Sequence, residues 1–188
     1  LALPGSLIRL TDVGVNPTRT GFIELLQSLG APIRWHNRRS WQGEPVADLV
    51  IGSAPLRPQR PLTIGGELIP RLIDELPILA VLATRIEGGA TIRDAQELRV
   101  KESDRIRAVA ANLRRMGARV REFPDGWHIP GPQPLRGAHV DAHGDHRIAM
   151  AFAIAGLMAE GETAIESSEV VDISFPGFFS ALDALVER

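Results

Sequence analysis

The sequence predicts a mixed α/β domain of three similar units, each about β-α-β-α-β-β, with the first unit incomplete. Three observations lead to this prediction. A short alternating stretch occurs three times, a helical segment follows each copy, and two further helical segments are apolar on nearly every face. Because a helix that is apolar all round belongs in an interior, we expect sheets on the outside and apolar helices inside.

The repeated stretch is a glycine followed by alternating residues. Residues 5–10 have a close counterpart at residues 89–94 and a weaker one at residues 161–166. Such alternation is typical of a strand with one buried face. Similar stretches at separate places in one chain indicate repeated supersecondary units.

A helical segment follows each of these strands. The segments run from about Thr18 to Leu29, from Ser103 to Met116, and from Pro176 to Val186. The first two end at Gly30 and Gly117. A glycine there favours a left-handed helix cap, after which a new strand leaves.

Two further segments, about Ile69 to Arg85 and Asp145 to Glu160, are the apolar helices. Pro77 lacks an N–H and should disrupt the first of them locally. At about 1.5 Å per residue, the apolar run at 148–159 is much shorter than a roughly 30 Å hydrocarbon core, so we expect a buried helix and no membrane span. Strands at 118–122 and 126–129 should flank a turn.

Composition narrows the classes of protein. A length of 188 residues suits one well-buried domain or two very small ones. A net charge of -2 argues against nucleic acid as the main partner, because a phosphate backbone selects a basic face. The absence of cysteine excludes disulfides and thiol nucleophiles from this sequence and fits the cytoplasm. The amino terminus lacks the features of a signal peptide and resembles a chain cut at a linker.

Lys101 is the only lysine, whereas the other 20 basic residues are arginine. An ammonium group can lose its proton, and a guanidinium effectively cannot. Lys101 and Glu102 directly precede Ser103, the predicted helix cap, and their proton affinities should depend on each other, as proton transfer requires. The helix start and Arg105 together favour an anion. Spacing alone leaves a solvated capping run as an equal alternative.

A second polar corner, Asp145-His146-Arg147, opens the second apolar helix and forms another candidate anion site. Asp141 and His143 lie close by in the sequence and raise the alternative of a metal site. Their spacing matches no defined ligand pattern, so we predict no metal.

A third polar pair, Asp74-Glu75, interrupts the first apolar helix. A carboxylate on a buried segment is costly unless it is paired. We expect at least one of the two to reach a cavity or a cation, with exposed acids at an irregular helix start as the alternative.

Four separated runs resemble 5-enolpyruvylshikimate-3-phosphate synthase, a family of enolpyruvyl transferases. The runs are Asp74-Glu75-Leu76-Pro77, Leu98-Arg99-Val100-Lys101-Glu102-Ser103-Asp104-Arg105, Gly144-Asp145-His146-Arg147-Ile148-Ala149-Met150 and Ser174-Phe175-Pro176-Gly177-Phe178. They occur in the family's order, and the resemblance extends from near Leu1 to Arg188. The second and third runs are highly specific, and the other two would be weak alone.

The resemblance implies transfer of the enolpyruvyl group of phosphoenolpyruvate to the 5-hydroxyl of shikimate 3-phosphate, with release of phosphate. It implies a place in aromatic amino-acid biosynthesis in the cytoplasm, with no cofactor. The fold would be an inside-out α/β barrel, in which residues 1–188 form the second of two domains. The missing amino-terminal domain would then be a partner, and the full-length protein would be a monomer.

The resemblance also implies roles for individual residues. Asp74 would be the base on the attacking hydroxyl, and Glu102 the acid that protonates the phosphoenolpyruvate methylene. Lys101 would contact both substrates and stabilise the leaving phosphate.

The remaining implied residues bind substrate. Arg105 and Arg147 would hold the carboxylate and phosphate of phosphoenolpyruvate, with His146 in support and Asp145 at the same corner. Many relatives carry a lysine just before the Ser/Thr-Phe-Pro motif, where this chain has Ile173, so we assign that position no role.

Three alternatives stay open at this stage. The first is the sister family that transfers enolpyruvate to UDP-N-acetylglucosamine. The second is a fragment that binds phosphate without catalysis, since the isolated domain is expected to lack turnover. The third is a structural repeat module whose charged corners serve only contacts between domains.

Overall fold

The computed structural model describes residues 1–186 as a mixed α/β fold. The strands are β1 (Leu7–Gly14), β2 (Ile33–Trp41), β3 (Glu44–Gly52), β4 (Leu62–Ile64), β5 (Ala90–Ile92), β6 (Arg121–Phe123), β7 (Gly126–Ile129), β8 (Leu135–Arg136), β9 (His139–Asp141), β10 (Ala159–Glu160) and β11 (Ala164–Glu166). The helices are α1 (Gly21–Ser28), α2 (Ile69–Leu72), α3 (Leu76–Ala83), α4 (Arg105–Arg115), α5 (His146–Met158) and α6 (Phe178–Leu185). Short 3-10 turns cover Gly66–Leu68, Gln96–Val100 and Ser168–Ile173.

The strands form small separate sheets. The strands β1-β3-β2 make an antiparallel sheet in that order. A second sheet has the order β4-β5-β7-β6, in which β4 and β5 are parallel and the other pairs antiparallel. Two parallel pairs, β8 with β10 and β9 with β11, complete the described set.

Helices α3, α4 and α5 pack against one another in the core. Seven of the eight residues of α3 are buried, and α5 buries Ile148, Ala149, Ala151, Phe152, Ala153 and Ala155. Both apolar helices therefore lie in the interior, as the sequence predicts. Trp127 joins the second sheet to this core, because its indole Nε1 donates to the Ile106 carbonyl of α4 at 2.8 Å.

The single helix predicted from about Ile69 to Arg85 is divided into α2 and α3 by a break at residues 73–75, just before Pro77, where a local disruption was expected. Pro77 lies in the first turn of α3, where a missing N–H costs nothing. The predicted cap at Ser103 is wrong. Asp104 caps α4, since its carboxylate accepts from the Arg107 N–H at 3.0 Å.

The sequence prediction identified only the start of β2 and missed β3 entirely. Most of β2 is exposed, so polar residues occupy both faces and no alternating pattern marks it. Gln42 and Gly43 close the hairpin with φ of 49° and 87°. The first and last predicted helices are shorter in the structure, at α1 and α6. Within residues 1–186, none of the helices combines the length and apolar character needed to cross a bilayer.

Candidate active site

The amino-terminal ends of the three core helices meet at one place. Asp74 lies in the break just before α3, Arg105 is the first residue of α4, and Arg147 is in the first turn of α5. These residues come from three separated stretches of sequence, and packing of the helices brings them into direct contact.

Arg105 is the centre of this network and its side chain is 1% exposed. Its Nε and Nη2 donate to the two oxygens of Asp145 at 2.8 and 3.3 Å. Its Nη2 also donates to Glu102 at 2.5 Å, and its Nη1 lies 3.5 Å from Asp74 Oδ1. A guanidinium in this forked geometry fixes three carboxylates around it.

Asp74 joins Arg105 to Arg147. The Arg147 Nη2 donates to Asp74 Oδ2 at 3.0 Å, and its Nη1 donates to the Asp74 carbonyl at 3.3 Å. Arg19 lies at the edge of the network, 4.0 Å from Asp74 Oδ2. Arg19 was not a sequence-predicted site residue, because nothing in its local pattern points to residue 74.

Asp145 is fully buried and caps α5. Burial disfavours its charged form, but the hydrogen bonds and charge of Arg105 outweigh that cost, so the pKa of Asp145 lies below its ordinary value. The Arg147 N–H and the Ser103 hydroxyl also donate to it, at 2.9 and 3.1 Å. Asp145 therefore acts as the counter-charge that holds Arg105 in place.

Lys101 and Glu102 are neighbours in the sequence but have different ion-pair partners. Lys101 contacts Glu97, which lies four residues earlier in the 3-10 turn at Gln96–Val100. Glu102, whose side chain is 49% exposed, turns to Arg105 instead. The two neighbours therefore belong to two separate ion pairs, and the dependence of their proton affinities on each other stays a prediction.

Asp74 and Glu75 both line a shallow hollow of about 190 Å³, together with Arg147, Ile78 and Phe178. Burial raises the pKa of Glu75 above its ordinary value; the nearby Asp74 adds to the rise and the charge of Arg147 opposes it. The expectation that this acidic pair reaches a cation or a cavity is confirmed.

His146 and Ile173, two positions considered from the sequence, take no part in these contacts. His146 is half-buried, and among residues 1–186 its ring has no hydrogen-bond partner, so its supporting role stays a prediction. Ile173 ends a 3-10 turn and is 78% exposed. In the same part of the chain, no group of His, Asp and Glu is arranged to hold a metal ion.

A family model described as EPSP synthase (3-phosphoshikimate 1-carboxyvinyltransferase) matches residues 1–182. The chain belongs to the EPSP synthase family. Three of the motifs that resemble this family contribute Asp74, Arg105 and Arg147, and these residues are in contact in the fold.

Curated relatives named 3-phosphoshikimate 1-carboxyvinyltransferase support the family assignment. The chain is 53% identical to the protein of Thermosynechococcus vestitus over 183 residues, which are 97% of this chain and 41% of that protein. It is 47% identical to the protein of a Geobacter species over 188 residues, which are 100% of this chain and 43% of that protein. The chain thus spans about two fifths of the length of these relatives.

Solved structures of EPSP synthase from Acinetobacter baumannii are similar in fold. One has a TM-score of 0.90 at 38% identity and matches 97% of this chain and 42% of its own. Another has a TM-score of 0.89 at 34% identity and matches 100% of this chain and 44% of its own.

Proposed function

We propose that this chain forms one side of the active site of an enzyme that transfers the enolpyruvyl group of phosphoenolpyruvate to the 5-hydroxyl of shikimate 3-phosphate. The observation that carries the proposal is the position of Asp74, whose carboxylate lies between Arg105 and Arg147 at the edge of the hollow. A carboxylate held between two cations beside an open space is suited to a reaction that moves protons near anionic substrates.

The first step forms a bond between the 5-oxygen and C2 of phosphoenolpyruvate. Asp74 accepts the hydroxyl proton, and Glu102 gives a proton to C3, which produces a tetrahedral intermediate. Glu102 is half-exposed and so lies where a substrate can reach it. The alternating use of an acid and a base follows from the chemistry, because one oxygen loses a proton while one carbon gains one.

The second step breaks the bond between C2 and the phosphate oxygen. C3 returns a proton to the Glu102 carboxylate, which regenerates the double bond, and the departing phosphate takes up the proton held by Asp74. Lys101 stabilises the leaving phosphate through its ammonium charge, after exchanging Glu97 for substrate. Every step is a proton transfer or a charge stabilisation, which the side chains themselves supply, so the proposal includes no cofactor.

Arg105 and Arg147 hold the carboxylate and phosphate of phosphoenolpyruvate, with Asp145 orienting them and His146 in support. Arg147 is 29% exposed and already faces the hollow, whereas Arg105 is almost fully buried. The Arg105 Nη2 is paired with the half-exposed Glu102, so the anion binds there by replacing that carboxylate.

The local charge balance supports the proposal of a second domain as partner. Asp74, Glu102 and Asp145 provide three carboxylates, which balance the guanidiniums of Arg105, Arg147 and, at the edge, Arg19. Two highly anionic substrates need more positive charge than this network has to spare. We assign the additional cations to the amino-terminal domain of the full-length protein.

The proposal extends to the architecture. Residues 1–188 form the second domain, an inside-out α/β barrel of three β-α-β-α-β-β units, and the full-length protein works as a cytoplasmic monomer. The small outer sheets and the buried helices α3 and α5 support this arrangement.

Phosphate release from phosphoenolpyruvate by the full-length protein tests the proposed function. We expect turnover with shikimate 3-phosphate and none with UDP-N-acetylglucosamine as the acceptor. Turnover with the UDP-sugar alone would assign the protein to the sister reaction, and turnover with neither would favour a phosphate-binding role.

A further inference from the structure

The segment that carries Lys101 and Glu102 is held from the inner side by Asp145, which contacts Ser103 and Arg105. It is held from the outer side by a residue with no role in the proposed chemistry, Arg99. The side chain of Arg99 is 29% exposed and all three of its nitrogens donate hydrogen bonds.

The bonds of Arg99 reach two elements at once. Its Nη1 donates to Asp104 Oδ2 at 2.8 Å, which closes residues 100–103 into a short loop. Its Nε donates to the Pro124 carbonyl at 2.6 Å, and its Nη2 donates to the Phe123 carbonyl at 2.8 Å and to Glu122 at 3.1 Å. Arg99 therefore fixes the loop to the hairpin of β6 and β7.

Asp104 adds the helix to this arrangement. One oxygen of its carboxylate caps α4 through the Arg107 N–H, while the other binds Arg99. A single carboxylate thus sets both the start of α4, where Arg105 lies, and the closure of the loop.

The hairpin turn is itself anchored to the chain before the loop. Asp125 accepts from the Arg93 Nε at 3.0 and 3.1 Å and from the Asp94 N–H at 3.0 Å, and its carbonyl accepts from the Ala95 N–H at 2.9 Å. The turn therefore holds the segment that follows β5 at its beginning, and Arg99 holds it near its end.

We propose that Arg99 is a positioning residue, which sets the place of Lys101 and Glu102 against the substrates by fixing the 100–103 loop to the β6–β7 turn. This inference rests on the proposed transferase function. Arg99 acts through the backbone of the loop and through Asp104, and it does not touch substrate. Displacements of about 1 Å at reacting groups lower rates by about 10²-fold, so an anchor of this kind is expected to appear in kcat.

The test uses the full-length protein with Arg99→Gln and Arg99→Lys, and with Arg114→Gln as a matched control. Arg114 is a suitable control because it also pairs with Glu122, at 3.7 Å, but makes no contact with Asp104 or the turn carbonyls. The measurements are kcat, KM for both substrates and the melting temperature.

We expect Arg99→Gln to lower kcat roughly 10- to 100-fold, with KM changed by less than about threefold, since the loss is in alignment and not in binding. The kcat of Arg99→Lys should lie between those of the wild type and Arg99→Gln. Lysine keeps the positive charge, but its ammonium can replace only part of the hydrogen bonding of the guanidinium. Arg114→Gln should keep the wild-type kcat.

A lower melting temperature with an unchanged kcat for the folded Arg99→Gln protein would show a purely structural role and overturn the inference. If Arg99→Gln does not fold, the same decision rests on Arg99→Lys and on Asp104→Asn, which keeps an acceptor for the helix cap. A wild-type protein without shikimate 3-phosphate turnover would instead refute the proposed function, so the two failures are distinguishable.

Discussion

Two carboxylates at the candidate site have pKa values shifted in opposite directions. Asp145 is fully buried, but Arg105 neutralises it, so its pKa is lowered. Glu75 is half-buried and has no ion pair within the described residues, so burial raises its pKa. The sequence could not separate these cases, because a helix cap and an acidic pair are both usually solvated. Each shift predicts how stability depends on pH.

Asp145→Asn should destabilise the full-length protein at pH 7 by about 3 kcal/mol, because Arg105 would lose its buried counter-charge. A lowered pKa in the folded state contributes stability that is present above the unfolded value, about 3.9, and is lost as the pH falls further. Melting curves at several pH values should therefore show the gap between wild type and variant shrinking below about pH 4. A difference in melting temperature that stays constant across this pH range would show that the ionised form of Asp145 does not stabilise the fold.

Glu75→Gln should have the opposite effect. A raised pKa in the folded state favours the protonated form, so stability is lost as the pH rises through that pKa. The variant is therefore expected to melt above the wild type at pH 7 and together with it below about pH 4. A variant that melts lower at pH 7 would show that Glu75 has a stabilising partner.

At the scale of elements, the sequence predicted the interior helices well and their ends less well. The apolar character of α3 and α5 follows from composition alone, whereas the break at residues 73–75 depends on how Pro77 begins a new helix. That break matters for function, because it places Asp74 at the helix end and lets it face Arg147. Most of β2 escaped prediction because that strand is exposed and has no alternating pattern. Strand β3 escaped because its buried residues 46–49 are consecutive and do not alternate with exposed ones.

Gly126 in β7 offers a test of how the second sheet closes. A Cβ there would lie 2.0 Å from the Ile92 carbonyl, and the residue has a φ of 156°. We expect Gly126→Ala to separate β5 from β7 and to destabilise the protein by at least about 3 kcal/mol, measured by thermal unfolding.

Gly117→Ala is the control for this substitution. Gly117 has a φ of 86° but no atom lies within 4 Å of an added Cβ. Its replacement should cost only the left-handed backbone, about 1 kcal/mol. Equal losses of stability from the two substitutions would show that the close approach of Gly126 to the Ile92 carbonyl does not require glycine.

At the scale of the whole molecule, three helix ends meet to give a network in which three carboxylates balance three guanidiniums, one of them Arg19 at its edge. The spacing of residues in the sequence left helix capping as an equal alternative at Lys101 and exposed acids as an alternative at Asp74 and Glu75. Only the resemblance joined the corners into one site. The contacts across 31 and 73 positions of sequence could not be derived from local pattern. They depend on the packing of α3, α4 and α5.

The chain alone should show no detectable turnover, because substrates bound from one side lack orientation and charge compensation. Phosphate release by the purified 188-residue chain, compared with the full-length protein at equal concentration, measures this. Activity of the chain near that of the full-length protein would refute the need for a second domain.

The most direct test of the account is the single-turnover rate of the full-length Asp74→Asn protein with phosphoenolpyruvate and shikimate 3-phosphate. Glu75→Gln is the matched control, since it lines the same hollow without contacting either guanidinium. We predict that Asp74→Asn slows the chemical step by about 10² to 10⁴-fold, whereas Glu75→Gln keeps a rate close to wild type. A folded Asp74→Asn protein that reacts at the wild-type rate would contradict the assignment of this network as the active site.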